Sequence, residues 1–262
     1  MLMTDLTALL ARAPTIDAAL ADDPDDPAGS LAWLLHMAAR TRDAKPAPVD
    51  PDALRELEAL LDARPDRDDA LGQLHVDAAS CVRRATAIRT DGPIVAVGDD
   101  DCVTLALRSL GHADACAVDL DERLLSFLGA HGVETHRADF FDESVPAPLR
   151  GRFAAAVTDP FRDLDGGLGF LCFAAACLRP GGALWWVDDP VWNPEHDAVE
   201  AAMAGLGWRV VETREDAHAY PLSVASFDPT AILGALDVEP AWLHALIEAT
   251  CAWSNLYRLM LG

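Results

Sequence analysis

Pro93-Ile94-Val95-Ala96-Val97-Gly98-Asp99-Asp100-Asp101 is the most informative stretch of this sequence. Its apolar, β-branched run predicts a buried strand, and Gly98 follows where the backbone must turn before a helix rich in leucine and alanine. A strand, a glycine turn and a helix in this order are typical of the nucleotide-binding edge of a parallel sheet. Further glycines usually occupy such a loop, because its backbone approaches an anionic group. Here three aspartates occupy it.

Two interpretations of these aspartates are open. Aspartate is favoured in the first turn of a helix, so capping and complementarity to the helix dipole account for one or two of them. Alternatively, a carboxylate cluster at the end of the first strand attracts an ammonium group and repels the carboxylate of S-adenosylmethionine or a phosphate. The second interpretation predicts a cationic ligand.

Alternating strand and helix patterns extend outward from this stretch. The first five strands are expected over residues 94–97, 113–118, 134–137 and 154–158 and at the end of the run 178–187. Two more are expected over residues 208–212 and 257–261, the last one antiparallel. This order predicts an α/β fold with a Rossmann-like, doubly wound sheet.

The ends of the second and third predicted strands suggest a nucleoside site. Asp119 follows the second strand about 20 residues after the first turn, where a carboxylate accepts from the two ribose hydroxyls, and Leu120 is its neighbour. Asp139 follows the third strand, where it can accept from an adenine amino group with Phe140 or Phe141 against the base. A loop aspartate that caps a turn is the alternative for Asp139.

Carboxylates also follow the fourth and fifth predicted strands. Asp159 stands at the tip of the fourth strand beside the first, and Pro160 keeps its backbone extended, which aims the carboxylate. Asp188 and Asp189 follow the fifth strand, a third acidic point on the same edge. Because carboxyl ends of parallel strands share one edge, we expect all these groups to line one crevice.

A helix is predicted over residues 71–88, and its start carries Gln73 and His75. These polar side chains either face the ligand crevice or serve as caps and solvated groups. Gln73 is included among the candidate cofactor-binding residues.

The composition restricts the possible partners. The formal charge is −23, the pI is near 4.4 and Lys45 is the only lysine, which argues against nucleic acid and anionic membranes as ligands. No apolar run approaches the roughly 20 residues that span a bilayer. No secretory signal is evident at the N-terminus, so we expect a cytoplasmic protein. Six cysteines show no C-x-x-C pair and no histidine at ligand spacing, so no metal site is predicted.

The domain organisation is predicted from the helical patterns near the N-terminus. Leucines at helical spacing form three faces around residues 6–13, 31–38 and 54–61, separated by proline-rich acidic breaks. We expect a helical N-terminal domain over residues 1–70 and a Rossmann-like domain over residues 71–262.

The chain resembles the class I S-adenosylmethionine-dependent transferases and, among them, the branched-chain polyamine synthases, also called bis(aminopropyl)spermidine synthases. The matching motifs are Gly98-Asp99-Asp100-Asp101, Val118-Asp119-Leu120-Asp121-Glu122-Arg123-Leu124 and Thr158-Asp159-Pro160. The resemblance covers roughly residues 73–187. It departs where the family has a second proline and this chain has Phe161, in the N-terminal segment, and in residues 185–192.

This resemblance implies transfer of an aminopropyl group from decarboxylated S-adenosylmethionine to a polyamine, with release of methylthioadenosine and no need for a metal. It implies a possible homodimer and a small cationic amine as the acceptor. Such a transfer is a displacement at the carbon next to a sulfonium, so the protein has to align an amine and accept its proton.

We assign the catalytic role to Asp159, as the proton acceptor, and to Asp99. Asp99 and Asp100 are expected to anchor the donor's ammonium or a distal amine of the acceptor. The predicted substrate site comprises Asp100, Asp159, Phe161, Asp188 and Asp189. The predicted donor site comprises Gln73, Gly98, Asp99, Asp119, Leu120, Asp139 and Phe140.

Other functions fit the same fold. One alternative is a methyltransferase that uses intact S-adenosylmethionine, although Asp99 to Asp101 replace the carboxylate-tolerant glycines expected there. A second is transfer of the aminocarboxypropyl group from the intact donor to a small amine. A third is a non-catalytic nucleoside-binding module, because this fold supports many functions.

Overall fold

The computed structural model describes residues 27–142 and 144–262. Its central feature is a seven-stranded sheet with the order β3-β2-β1-β4-β5-β7-β6. The strands are β1 Ile94–Val97, β2 Ala115–Asp119, β3 Glu134–Arg137, β4 Phe153–Thr158, β5 Leu178–Asp188, β6 Trp208–Pro221 and β7 Cys251–Leu261. Strands β1 to β5 pair in parallel, and β7 pairs antiparallel with β5. The predicted Rossmann-like α/β fold is confirmed.

Nine α-helices are described in these two ranges. They are α1 Pro27–Asp43, α2 Pro51–Leu61, α3 Ala78–Ile88, α4 Val103–Ser109, α5 Glu122–Ala130, α6 Leu164–Cys177, α7 His196–Gly205, α8 Thr230–Ala235 and α9 Pro240–Glu248. At the starts of α2, α3, α5 and α6, an aspartate side chain accepts a hydrogen bond from a backbone N–H group; these aspartates are Asp50, Asp77, Asp121 and Asp163. Some of the chain's acidic residues therefore serve as helix caps.

Several element boundaries differ from the sequence prediction, among them that of β6, which was expected over residues 208–212 and extends to Pro221. The helix expected from residue 71 begins only at Ala78, so Gln73 and His75 lie in a loop that follows Gly72, whose φ is 66°. The sequence predicts a helix over residues 168–178, but α6 begins at Leu164 and includes Gly166-Gly167; a Cβ on Gly166 would lie 2.6 Å from the Phe161 Cβ. The sequence also predicts a helix over residues 241–252, whereas α9 ends at Glu248 and strand β7, expected over residues 257–261, begins at Cys251.

The chain divides into two compact units. The smaller contains residues 27–45 and 219–253, in which α1 packs against α8 and the Trp33 and Phe227 rings stack 5.8 Å apart. The larger contains residues 46–218 and 254–262, including the carboxyl edge described below. The boundary expected after residue 70 falls inside the larger unit, because α2 packs against α3 and α4. The helical face expected around residues 6–13 lies outside the described residues.

No helix in the described part of the chain is long and apolar enough to cross a membrane. The core of the larger unit consists of apolar side chains from both faces of the sheet, among which Phe153, Leu184 and Trp186 are fully buried. Burial of these side chains against the parallel strands β1 to β5 holds the strand ends at fixed positions.

Candidate functional site

The carboxyl ends of β1, β2, β4 and β5 meet at one edge of the sheet, which we call the carboxyl edge. Strand β1 lies between β2 and β4, and the register pairs Val97 with Val118 and with Thr158. The residues that follow these three positions are therefore neighbours. Strand order reverses at β1, and ligands of open α/β sheets bind at such a point. The acidic loop, residues 98–101, occupies it.

Asp99 is fully buried and points its carboxylate into the first turn of α4. Its Oδ1 accepts from Val103 N at 2.7 Å, and its Oδ2 accepts from Thr104 N at 3.3 Å and from the Thr104 hydroxyl. Burial raises the pKa of Asp99 to about 7, although these hydrogen bonds oppose the rise. The capping interpretation of the acidic loop therefore describes Asp99, and its catalytic role stays a prediction.

Asp100 differs from its neighbours, because its half-buried carboxylate accepts no hydrogen bond from the described residues. Burial raises the pKa of Asp100 well above its usual range, and the charges of Asp101, Asp159 and Asp119 raise it further. This side chain thus lies among other acids, and no cation in the described ranges forms an ion pair with it. An ammonium group would remove that repulsion.

Asp101 and Asp159 share a buried arginine. Arg84, on α3, donates from Nη2 to Asp101 Oδ2 at 2.7 Å and to Asp159 Oδ2 at 3.4 Å. Its Nε donates to His218 Nε2 at 2.8 Å. Burial and the nearby arginines hold the pKa of His218 well below its usual range, which keeps the ring neutral and able to accept.

A second arginine holds the other oxygen of Asp159. Arg162 Nη2 donates to Asp159 Oδ1 at 2.8 Å, and its Nε lies 3.6 Å from Asp188 Oδ1. Nη1 donates to the carbonyl oxygens of Pro160 and Val187, and the guanidinium lies 4.8 Å from the centroid of the Trp192 ring. The aspartate expected to meet the substrate amine is thus paired with two cations.

Asp188 is fully buried and also bound by α7. Its Oδ2 accepts from Asn193 Nδ2 at 2.7 Å and lies 2.8 Å from His196 Nδ1. Burial alone would lower the pKa of His196, but the hydrogen bond and charge of Asp188 outweigh it and the pKa is raised. The Asp189 carboxylate is buried too and accepts from Val191 N at 2.8 Å.

The predicted ribose ligand lies at the end of β2. Asp119 Oδ2 accepts from Asp99 N at 3.0 Å, and Oδ1 accepts from Asp121 N at 2.9 Å. Burial raises the pKa of Asp119, and the backbone hydrogen bonds limit the rise. Leu120 is half-buried beside it. Gln73 donates to Asp121 Oδ2 at 3.2 Å, so Gln73 is joined to this loop through Asp121.

The predicted adenine residues adjoin an aromatic cluster. Asp139 accepts from Phe141 N at 3.0 Å, as a turn cap would. The Phe140 ring packs into the core, 4.6 Å from that of Phe170, whereas Phe141 is 54% exposed and nearly parallel to Phe161. Of the two phenylalanines considered for the base, Phe141 is therefore the accessible one.

Sequence reasoning missed the arginines. Arg84 lies 75 residues before Asp159 in the chain, so no local pattern relates them. Arg162 follows Asp159 by three residues, and this spacing was the available signal. Arg64 was missed as well: its Nη1 donates to the Asp100 carbonyl at 3.4 Å, and no carboxylate in the described ranges lies within ion-pair distance of it.

A separate cluster brings together Cys116, Glu134 and His136, whose possible ligand atoms lie within 4.8 Å of one another. The pairing of β2 with β3 places them together, which sequence spacing did not indicate. Arg152 donates to both Glu134 oxygens at 2.6 Å and lowers the pKa of that carboxyl to about 2. Burial raises the pKa of Cys116, which disfavours the thiolate. Glu134 is engaged in an ion pair with Arg152 and lies 2.8 Å from His136 Nε2.

Comparison with known proteins gives structural relatives only. No protein-family model matches the chain, and no curated protein matches it. Two solved structures of the branched-chain polyamine synthase from Thermus thermophilus, a mutein and the synthase itself, superpose with a TM-score of 0.68 at 20% and 19% identity. Each match covers 98% of this chain and 85% of that chain. Both structures contain N4-aminopropylspermidine and 5'-methylthioadenosine.

An S-adenosylmethionine-dependent methyltransferase from Mesorhizobium loti matches less well, with a TM-score of 0.44 at 14% identity over 70% of this chain and 98% of that one. At 20% and 19% identity, the similarity to the two Thermus thermophilus structures establishes the fold. The family that the sequence motifs resemble is also the family of the two Thermus thermophilus structures.

Proposed function

We propose that this protein transfers an aminopropyl group from decarboxylated S-adenosylmethionine to an amine nitrogen and releases methylthioadenosine. The observation that carries this proposal is Asp100, a half-buried carboxylate without a hydrogen-bond donor in the described residues, next to Asp119 and Asp159. A negative group at the point where the strand order reverses favours a ligand with positive nitrogen there. The donor's own carboxylate would be repelled.

The donor site in this proposal follows the ends of β1, β2 and β3. Gly98 lets the backbone approach the donor, and the Leu120 side chain supplies an apolar contact to it. The remaining lone pairs of the Asp119 carboxylate accept hydrogen bonds from the ribose hydroxyls. Asp139 accepts from the adenine amino group, with Phe141 on the side of the base and Phe140 packed behind it against the core. Gln73 supports this site through Asp121.

The transfer itself needs alignment and one proton acceptor. The lone pair of the amine attacks the carbon next to the sulfonium, the carbon–sulfur bond breaks, and its electron pair leaves sulfur neutral in methylthioadenosine. The nitrogen then carries an extra proton, which goes to a carboxylate. Asp100 suits this step better than Asp159, because two guanidinium groups already stabilise the charge of Asp159.

The structural relatives support the proposal at the level of the fold. The Thermus thermophilus synthase holds an aminopropylated polyamine and methylthioadenosine in the same fold. The proposal for this chain rests on its own acidic loop and not on that likeness.

The test is an incubation of the protein with decarboxylated S-adenosylmethionine and a mixture of amines. We expect mass spectrometry to find an amine heavier by one aminopropyl group, together with an equal amount of methylthioadenosine. The same incubation with intact S-adenosylmethionine should give no modified amine. Absence of any product with the decarboxylated donor would reject the proposal.

Transfer of the aminocarboxypropyl group from the intact donor is the second candidate, and Arg64 favours it. This half-buried guanidinium, bonded to the Asp100 carbonyl, has no carboxylate partner in the described ranges and is a possible counter-ion for a donor carboxylate. Calorimetry with the two donors separates the candidates. Tighter binding of the intact donor, lost in Arg64→Met, would support the second candidate over the first.

A further inference from the structure

Three of the acids at the carboxyl edge interact with basic side chains of the protein itself. Three carboxylates meet two guanidinium groups and a histidine in one buried network: Asp101 and Asp159 with Arg84, Asp159 and Asp188 with Arg162, and Asp188 with His196. Such pairing offsets much of the desolvation cost of the buried charges. These carboxylates therefore have little free charge left for a ligand.

Arg162 already makes the contacts that an ammonium of a long polyamine would need. It interacts with two carboxylates, donates to two backbone carbonyls and lies against the face of Trp192. Carboxylates, carbonyls and an aromatic face are the groups that stabilise an alkylammonium. Only 17% of the Arg162 side chain is exposed, so a second cation cannot share the position.

Among the described residues of this edge, Asp100 is the aspartate whose carboxylate accepts no hydrogen bond. In the proposed reaction this carboxylate stabilises the positive charges of the donor and accepts the proton of the nitrogen that attacks the donor. Asp99 caps α4, and Asp189 is buried against its own loop, so neither offers a carboxylate to a further ammonium. If an acceptor with several ammonium groups bound at this edge, some of these groups would lose their water without a carboxylate partner, which is unfavourable.

Resting on the proposed function, we infer that the acceptor is a short amine with at most one ammonium besides the reacting nitrogen, such as a diamine, and that Arg162 excludes longer polyamines. Once one nitrogen of a diamine is deprotonated for attack, one ammonium remains. Spermidine keeps two ammonium groups and spermine keeps three. Arg162 occupies the position beside Asp159 and Asp188 that the additional ammonium groups would need.

The experiment measures kcat/KM with decarboxylated S-adenosylmethionine for 1,3-diaminopropane, putrescine, spermidine and spermine, by release of methylthioadenosine and by product mass. We expect each diamine to exceed spermidine and spermine by tenfold or more. Arg162→Met should raise the relative kcat/KM for spermidine and spermine, because it leaves Asp159 and Asp188 with one cation fewer. Arg162→Lys should keep the preference for diamines.

Arg152→Met is the matched control, because Arg152 pairs with Glu134 at the opposite end of β4. It should leave the order of the four amines unchanged. Thermal melting of each variant shows whether it is folded. Equal or faster reaction of spermidine or spermine with the unmodified protein would overturn the inference and leave the proposed function intact. Absence of methylthioadenosine release with all four amines would overturn the proposed function itself.

Discussion

Asp100→Asn is expected to lower transfer activity while it stabilises the protein. As the proton acceptor, the carboxylate contributes about 10² to 10⁴ in rate, so kcat should fall by at least about 10², or roughly 3 kcal/mol in activation free energy. In the free protein the same carboxylate is repelled by Asp101, Asp119 and Asp159. Its replacement by a neutral group of similar size should raise the free energy of unfolding, on the order of 1 kcal/mol at neutral pH.

Asp159→Asn should have the opposite effect on stability. The substitution removes one carboxylate from Arg162 and one of the two carboxylates near Arg84, whose side chain is 2% exposed. Removal of one partner from a buried ion pair costs about 3–5 kcal/mol, and the lower value applies because Asp101 still pairs with Arg84. Affinity for methylthioadenosine should change little in either variant.

Both effects can be measured on the same samples. Methylthioadenosine release gives kcat, calorimetry gives nucleoside affinity, and urea unfolding gives the change in stability. Asp91→Asn, at an exposed position before β1, serves as the control for loss of one negative charge. Near-normal turnover of Asp100→Asn, or destabilisation as large as that of Asp159→Asn, would refute the assignment of Asp100 as an unpaired base.

Two further predictions concern the acidic loop. Gly98→Ala should destabilise the protein by about 2–4 kcal/mol and weaken donor binding, because φ is 71° and the new Cβ would lie 2.8 Å from Phe170 Cε1. Gly111→Ala, with φ of 80° and open space around it, should cost only about 1 kcal/mol by urea unfolding, and equal losses would contradict the close contact. Because the folded pKa of Asp99 is raised to about 7, its contribution to the free energy of unfolding is greatest at acid pH and is lost as the pH rises from about 4 to about 7. Asp99→Asn still caps α4 and should reduce this fall by up to about 4 kcal/mol; an unchanged pH dependence would show that the carboxyl is not the cause.

Local patterns were sufficient to predict most of the fold. Buried apolar runs bounded by glycine and aspartate identified β1, β2 and β4, and the alternation of strands and helices predicted a parallel sheet with an antiparallel last strand. The boundaries that were missed have two causes. Helix α6 starts early because the Asp163 side chain caps it by accepting from Gly166 N, a local signal that the glycine pair obscured. Strand β7 starts early because it pairs with β5, which places Asn255 opposite Asp188, a contact distant in sequence.

The position of the candidate site could be predicted from the sequence, but the interactions of its individual carboxylates could not. Parallel strands end at one edge, so aspartates that follow β1, β2, β4 and β5 had to be neighbours, and they are. Their individual roles could not be predicted in the same way. Asp99 and Asp100 are adjacent in sequence, yet one caps a helix and the other accepts no hydrogen bond from the described residues.

The sequence by itself determined the succession of strands and helices along the chain and the placement of carboxylates at the strand ends. Hydrophobic periodicity and turn residues act over short distances and are therefore visible in the sequence. Only the tertiary structure decided which carboxylates stay uncompensated. Arg84 reaches Asp101 and Asp159 from a helix far along the chain, and Arg162 links Asp159 to Asp188. Electrostatic energy depends on separation in space and on exposure to water, and neither is written in the order of the residues.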